Sequence, residues 1–570
     1  MAASGGKTLL YLLQSQGIEY IFCSPGSEWV PVWEELSRRF SKGDESLKYI
    51  NCRHESLAVC AAIGYTKTTG RLPAILLHAT VGPLHAAMEI RAAYIKQFPM
   101  IIFSAEDSDH GNEAVIPGPG AQWSIHLSDI GGPAALVRPY VKWSNTVRSK
   151  DYLVDSVYRG CYIAQTPPQG PVFIAIAREL LFQSLPEIEV APLSPITSIP
   201  EPPSSDLNQA AKMLVGSKLP IIITDFAGKN PEAVNKLTEI AELLGIPVFE
   251  GKQPMFCNFP RNHPMHMGSE VTEAINEADT VFVVGAEVPW YPPTAFPRKG
   301  AKVILLDETP LSERVPYWGY RVDLLLKGDI GLGLTALVDI IRTQINKTGR
   351  TGSHYQRRFD SWQFKHNQMV KKWKEESEAE KDNKPISPKW FLHLVNNLLP
   401  ENSLIVEETV LHSQLIRRYL AEPNRYVRSV YGGLGVGLGE AIGTKLMVGD
   451  RPVLFFVGDG TFNYNPGMAG LGMCQEYNLP ILIIVLNNGG YITMARDHHK
   501  YFPEGWVASS KTYLGVDIAP LPDYGKLAEA FGAYGEKIEE PEDIEPALNR
   551  AMEQLTKGRA ALLDVLVSTP

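Results

Sequence analysis

Short runs of β-branched and aliphatic residues recur along the chain, each separated from the next by enough residues for a helix. In the first third they are Ile18–Cys23, Ala74–Leu77 and Met100–Ser104. The middle third has Pro220–Thr224, Thr280–Val284 and Val303–Leu306, and the last has Val453–Val457 and Ile481–Leu486. These runs are apolar at consecutive positions, so they leave no face for water, which is what strands of a parallel sheet covered on both sides require. Between them the pattern turns helical: Lys7–Gln16 is an apolar-rich helix stopped by Gly17, and Met468–Tyr477 reads as a crossover helix. A helix there puts the two strand ends flanking it on one edge of a sheet. The fold class is therefore α/β, built from mainly parallel sheets, with ligands expected beyond the carboxyl ends of the strands.

Two interruptions divide the alternation. Pro186, Pro192, Pro195, Pro200, Pro202 and Pro203 fall in a stretch poor in aromatic residues, a composition that favours extended linker. From residue 347 to 384 the chain is rich in Lys and Glu and predicts a solvated helix ending before Pro385. Three domains result, 1–185, 204–345 and 386–570, in keeping with 570 residues at roughly 150 per domain. A formal charge of −9 supplies no motive for binding nucleic acid or an anionic membrane. No run reaches the ~18 apolar residues that cross a bilayer, and the start has no signal-peptide core, so the expectation is a soluble, cytoplasmic protein. Six cysteines without a Cys-x-x-Cys pair argue against structural zinc and against a disulfide framework.

The strongest chemistry lies in the third domain. One strand runs into Gly458-Asp459-Gly460 and the next into Asn487-Asn488-Gly489-Gly490-Tyr491. The Asp459 carboxylate, the Asn488 amide oxygen and the Gly490 carbonyl are hard oxygen ligands, too few to fill an octahedron. Proteins hold Mg²⁺ in this way when phosphate oxygens and water complete the shell. Either motif alone is a tight turn or a loop; the two together, each after an apolar strand, are specific for a phosphorylated ligand and its metal. Neither a strict G-x-G-x-x-G nor a P-loop is present: Gly6-Lys7-Thr8 lacks the glycine such a loop needs at position 1.

This pairing resembles the signature of thiamine diphosphate (ThDP) enzymes of the decarboxylase and carboligase type, similar to acetolactate synthases and benzoylformate decarboxylase. The span from Asp459 to Asn488 is slightly longer than is usual in that family, with the extra residues expected around Asn465-Pro466-Gly467. The resemblance extends over the whole chain, in the order pyrimidine, middle and diphosphate domain. It implies that Gly458, Gly460, Thr461, Tyr491, the segment Glu407-Glu408-Thr409 and His412 lie near the diphosphate. It also implies that Gly432 presents its carbonyl to the aminopyrimidine and that Leu434 wedges under the cofactor. In the first domain, Glu55 in Asn51-Cys52-Arg53-His54-Glu55-Ser56 corresponds to the glutamate that hydrogen-bonds the pyrimidine N1′ and relays a proton there. Ser27 in Ser24-Pro25-Gly26-Ser27 and His78 in Leu77-His78-Ala79-Thr80 resemble the serine and histidine of benzoylformate decarboxylase that handle substrate carboxylate and protons. His54 and Gln122 are weaker candidates for the same site. The decarboxylase's second histidine has no counterpart, since Glu287-Val288-Pro289-Trp290-Tyr291-Pro292 stands in its place.

The resemblance implies a ThDP- and Mg²⁺-dependent enzyme that decarboxylates a 2-oxo acid and passes the acyl-anion equivalent to an aldehyde or ketone. Alternatives are a simple 2-oxo acid decarboxylase, a 2-hydroxyacyl-CoA lyase, or a cofactor-binding but inactive regulatory paralogue. In the family the two cofactor-binding domains come from different subunits, which implies a homodimer or homotetramer.

Overall fold

The computed structural model describes residues 3–106, 123–126, 128–185, 199–251, 254–291, 294–310, 320–348, 352–420, 426–428 and 433–569. Gln122 and Gly432 lie outside the described residues.

Three all-parallel sheets follow one another along the chain. The first comprises β1 (Tyr20–Cys23), β2 (Lys48–Asn51), β3 (Ala74–Leu77), β4 (Met100–Glu106), β5 (Trp143–Val147) and β6 (Pro171–Ala177), in the spatial order β2-β1-β3-β4-β6-β5. The second holds β7 (Pro220–Thr224), β8 (Val248–Glu250), β9 (Thr280–Val284), β10 (Lys302–Asp307) and β11 (Leu324–Lys327), ordered β8-β7-β9-β10-β11. The third holds β12 (Leu404–Glu408), β13 (Tyr426–Arg428), β14 (Val453–Gly458), β15 (Ile481–Asn487), β16 (Tyr534–Ile538) and β17 (Ala561–Leu566), ordered β13-β12-β14-β15-β17-β16. Every residue of β3, β4, β6, β12 and β15 is buried, as helices on both faces of a parallel sheet demand. The crossover helix after β14 runs Gly467–Glu476 and delivers β15 parallel to its neighbour. A helix Gly352–Ala379 occupies the charged stretch between the second and third sheets. Among the described residues no helix is long and apolar enough to cross a membrane.

The first and third domains meet along two glycine-bearing helices, Glu55–Thr69 and Gly437–Val448. A Cβ on Gly443 would lie 1.9 Å from the Ala61 carbonyl oxygen, and one on Gly64 would lie 2.2 Å from that of Glu440. The backbones therefore touch, and only glycine permits it. Beside this crossing Lys67 and Glu440 form a buried ion pair at 2.7 Å, with the ammonium also over the rings of Phe98 and Phe256. Phe256 belongs to the middle domain, so all three domains meet at this lysine. With one partner removed, the other would be a buried charge without compensation, which fixes how the domains sit.

Candidate active site

At the carboxyl edge of the first sheet, β1, β2 and β3 lie side by side and carry the sequence candidates into one place. After β1 the exposed Ser27 opens a short 3-10 turn. The following residue, Glu28, is buried and points both carboxylate oxygens at His78 Nδ1, at 2.8 and 2.9 Å. Glu28 also accepts the Ala79 amide at 2.6 Å, and Trp29 Nε1 donates to the Leu77 carbonyl at 3.0 Å. These bonds lock the loop after β3 onto the loop after β1. With Nδ1–H directed at a carboxylate, the neutral imidazole has its lone pair on Nε2, which sets His78 in one tautomer. Glu28 escaped the sequence reading because a glutamate beside a tryptophan has no signature; its place at a strand end was the available signal.

β2 leads to Glu55 at the first turn of its helix, where a carboxylate is favoured by the helix dipole. His54 precedes it as the N-cap, its Nδ1 accepting from the Ser56 amide at 3.2 Å and meeting the Ser56 hydroxyl at 2.8 Å. The structure thus gives His54 a capping task. Glu55 Oε2 lies 3.1 Å from Nδ1 of His85, a partner 30 residues away that no motif announces, and the His85 ring stacks on that of His54 at 5.5 Å. Gly82 passes close by: a Cβ there would sit 3.5 Å from Glu55 Cγ. Glu55 is mostly buried and held at the same sheet edge as His78.

In the third domain, β14 ends at Gly458 and a helical turn begins at Asp459. Asp459 is buried, which raises its carboxyl above the ordinary value, although the amides of Gly460, Asn488 and Gly489 pull the other way. Its Oδ2 and the Oδ1 of Asn488 are both buried and have no hydrogen-bond partner among the described residues. Two orphaned oxygens on adjacent strand ends are costly to leave unpaired, and their chemistry suits a hard cation. The loop that carries them is stiff. Gly489 donates to Asn487 Oδ1 at 3.1 Å, Asn487 Nδ2 donates to Asp564 at 2.9 Å, and Tyr491 N bonds the Val516 carbonyl at 2.8 Å. Burial pushes the Asp564 carboxyl up to about 6. The Tyr491 ring lies on Gly460, where a Cβ would come within 2.7 Å. Thr461 is buried in the turn after Asp459.

Beyond β12, Glu407 is buried and accepts from the amide of Thr409 at 2.6 Å, its hydroxyl at 2.5 Å, and the Ser413 hydroxyl at 3.1 Å. Its oxygens are thus committed to shaping the turn, while His412, also buried, keeps Nε2 without a partner among the described residues. Burial pushes His412 down to about 4, so the ring is neutral at physiological pH. The next carboxylate, Glu408, takes the amides of Gly435 and Val436 at 2.9 Å, that of Gly437 at 3.1 Å, and Asn465 Nδ2 at 2.9 Å. Burial still pushes its carboxyl up to about 7, and likewise that of Glu89 nearby. Leu434 is half-buried next to this clamp. Asn465, expected to be one of the surplus residues, instead bridges Glu408, the Thr461 carbonyl and the Leu438 amide. His499, beyond the Asn488–Gly490 loop, is exposed and paired with Tyr513.

One sheet edge thus bears a paired carboxylate and imidazole, and another a turn with two unpartnered buried oxygens. Residues 3–125, 207–337 and 409–565 match, in order, the N-terminal TPP binding domain, the central domain and the C-terminal TPP binding domain of thiamine pyrophosphate enzymes. The chain belongs to this family. It is similar to the acetolactate synthase large subunit of Buchnera aphidicola subsp. Schizaphis graminum, at 25% identity over 99% of this chain and 95% of that one. Benzoylformate decarboxylase of Pseudomonas aeruginosa is 24% identical over 98% of both chains. The crystal structure of benzoylformate decarboxylase from Polynucleobacter necessarius has the same fold, with a TM-score of 0.76 at 19% identity over 100% of this chain and 99% of that one.

Proposed function

We propose that the protein is a ThDP- and Mg²⁺-dependent enzyme that decarboxylates a 2-oxo acid and transfers the acyl-anion equivalent to a carbonyl acceptor, as an acetolactate synthase-like carboligase. The observation that carries the reading is the pair of orphaned, buried oxygens on Asp459 and Asn488 at neighbouring strand ends. With the Gly490 carbonyl they would hold Mg²⁺, and the Thr461, Tyr491, Thr409 and His412 region would receive the diphosphate. When bound, ThDP supplies a carbon nucleophile and an electron sink beside the substrate carbonyl.

The chain's own groups do the rest. Glu55 holds a proton at the pyrimidine N1′, and its partial burial favours a tight, water-poor hydrogen bond there. His78, held in one tautomer by Glu28, carries a proton to or from the substrate side, and Ser27 beside it binds the substrate carboxylate. The same His78–Glu28 pair supports the second reading, a simple decarboxylase that protonates its product and releases an aldehyde. Glu55 and Asp459 serve opposite ends of one cofactor, and we place each site between subunits of a homodimer or homotetramer. Phe502, Trp506 and Leu514, after the metal loop, are 66%, 89% and 86% exposed, and a second copy would cover them.

The test is to incubate the ThDP- and Mg²⁺-loaded protein with a panel of 2-oxo acids, with and without aldehyde or ketone acceptors, and identify products by mass. A carboligation product supports the first reading and aldehyde alone the second. Loss of no 2-oxo acid from the panel, with cofactor demonstrably bound, would overturn both.

A further inference from the structure

Glu408 ends β12, a strand buried along its whole length, and its carboxylate reaches across to two other segments of the third domain. One oxygen accepts Gly435 N and Val436 N, both at 2.9 Å; the other accepts Gly437 N at 3.1 Å and Asn465 Nδ2 at 2.9 Å. The three amides are consecutive and lead into the helix Gly437–Val448. They immediately follow Leu434. Backbone geometry shows how closely the loop is drawn in. Gly435 has φ +107, a value open only to glycine, and a Cβ on Gly437 would come 2.9 Å from Glu408 Cβ and 2.4 Å from the Phe455 ring. Asn465 extends the clamp to the turn that begins at Asp459, through the Thr461 carbonyl at 3.1 Å. Thus one carboxylate ties together the end of β12, the Leu434 loop and the metal turn.

We propose that Glu408 is a positioning residue that fixes the distance between the Leu434 loop and the Asp459 turn, and so sets how a bound cofactor is bent and held. The proposal deepens the functional reading given above and rests on it. Glu408 acts through backbone and touches no reacting atom. A side chain serving only as a helix cap would accept one or two amides of its own helix's first turn. This one is donated by a different strand, takes four donors, and is coupled to the metal turn, which a cap has no need to be.

Glu408→Gln is nearly isosteric but replaces one acceptor oxygen with an NH₂ group that must face N–H donors, so part of the clamp opens. Two measurements read the effect. In cofactor-free protein, hydrogen exchange followed by mass spectrometry should show the amides of Gly435–Gly437 exchanging about tenfold faster or more in the variant, with exchange in β14 and β15 unchanged. In the loaded protein, ThDP affinity at saturating Mg²⁺ and kcat should both fall about tenfold or more, and Glu408→Asp, which keeps the charge but shortens the reach, should recover part of each loss. Should Glu408→Gln fail to fold, Glu408→Asp compared with wild type carries the same two measurements, with the same direction and smaller size.

Unchanged exchange at Gly435–Gly437 would overturn the clamp. Faster exchange with wild-type ThDP affinity and kcat would reduce Glu408 to a cap and overturn the positioning role. Wild-type protein that binds no ThDP would instead refute the functional reading, and with it the proposal, whatever the exchange rates.

Discussion

Replacing Gly443 with alanine would place a methyl group 1.9 Å from the Ala61 carbonyl oxygen and 2.7 Å from its carbon. Both are backbone atoms of a helix whose residues from Ser56 to Thr66 are all buried, so no side chain can rotate out of the way. Overpacking of a core typically costs 1–3 kcal/mol, and contact with rigid backbone belongs at the upper end, about 3 kcal/mol. Helix propensity works in the other direction, alanine being favoured over glycine by about 1 kcal/mol. The net expectation is a loss of about 2 kcal/mol, or a fall in thermal midpoint of roughly 4–8 °C for a domain of this size. Gly216 supplies the control. It ends the helix Ser204–Gly216, and a Cβ there meets nothing within 4 Å, so Gly216→Ala should leave the midpoint unchanged or raise it slightly. Calorimetric scans of both variants at one scan rate make the comparison. Because one of the two helices begins at Glu55 and the other follows the Leu434 loop, Gly443→Ala should also weaken ThDP binding. A Gly443→Ala protein that melts with wild type would show that the helices are not in backbone contact, and the account of how the domains are held would fail.

Four further outcomes are expected. Glu55→Gln should bind ThDP yet exchange the thiazolium C2 proton far more slowly; mixing it with Asp459→Ala under subunit exchange should restore activity toward roughly a quarter of wild type, since about half the dimers are mixed and each has one intact site. No recovery despite demonstrated exchange would place the whole site in one chain. Glu28→Gln removes the charge that orients His78, so kcat should fall about tenfold or more with ThDP affinity kept, and normal turnover would leave the Glu28–His78 pair a structural contact. His412, held at about 4 in the fold against 6.5 unfolded, binds fewer protons when folded. Its contribution is therefore complete above pH 6.5 and lost as pH falls toward 4, about 3 kcal/mol in all; in urea unfolding His412→Asn should lose less stability than wild type between pH 6.5 and 4 by about that total, and parallel pH profiles would refute the burial of a neutral ring.

Much of this site was legible in the sequence because its parts sit where apolar strands stop. β14 and β15 are continuous apolar runs, so Gly-Asp-Gly and Asn-Asn-Gly-Gly stand out against them, whereas Glu55 at a helix start is marked only by the family resemblance. What stayed hidden depends on pairing across the chain. Glu28 gains its meaning from His78, 50 residues on, and His85 from Glu55; neither pair has a spacing that a single strand or helix imposes. In the sequence Asn465 reads as surplus length, whereas folding turns it into the bridge between Glu408 and the Asp459 turn. Glu408 itself was legible only as part of a segment near the diphosphate. That a strand buried along its whole length ends in two carboxylates required each to have its own donors, a requirement the sequence poses and only the fold answers. Glycine contacts between the Glu55–Thr69 and Gly437–Val448 helices were equally invisible, since the two segments are separated by more than the whole middle domain.

Calorimetric titration of ThDP into wild-type and Asp459→Ala protein, each in excess Mg²⁺ and again after chelation, tests the central claim most directly. The wild-type protein should bind ThDP with Mg²⁺ present and lose most of that affinity on chelation. Asp459→Ala should bind weakly under both conditions while keeping the thermal midpoint of the cofactor-free fold. Equal ThDP affinity in the two proteins, or binding by wild type that chelation leaves untouched, would contradict a metal site built from Asp459 and Asn488.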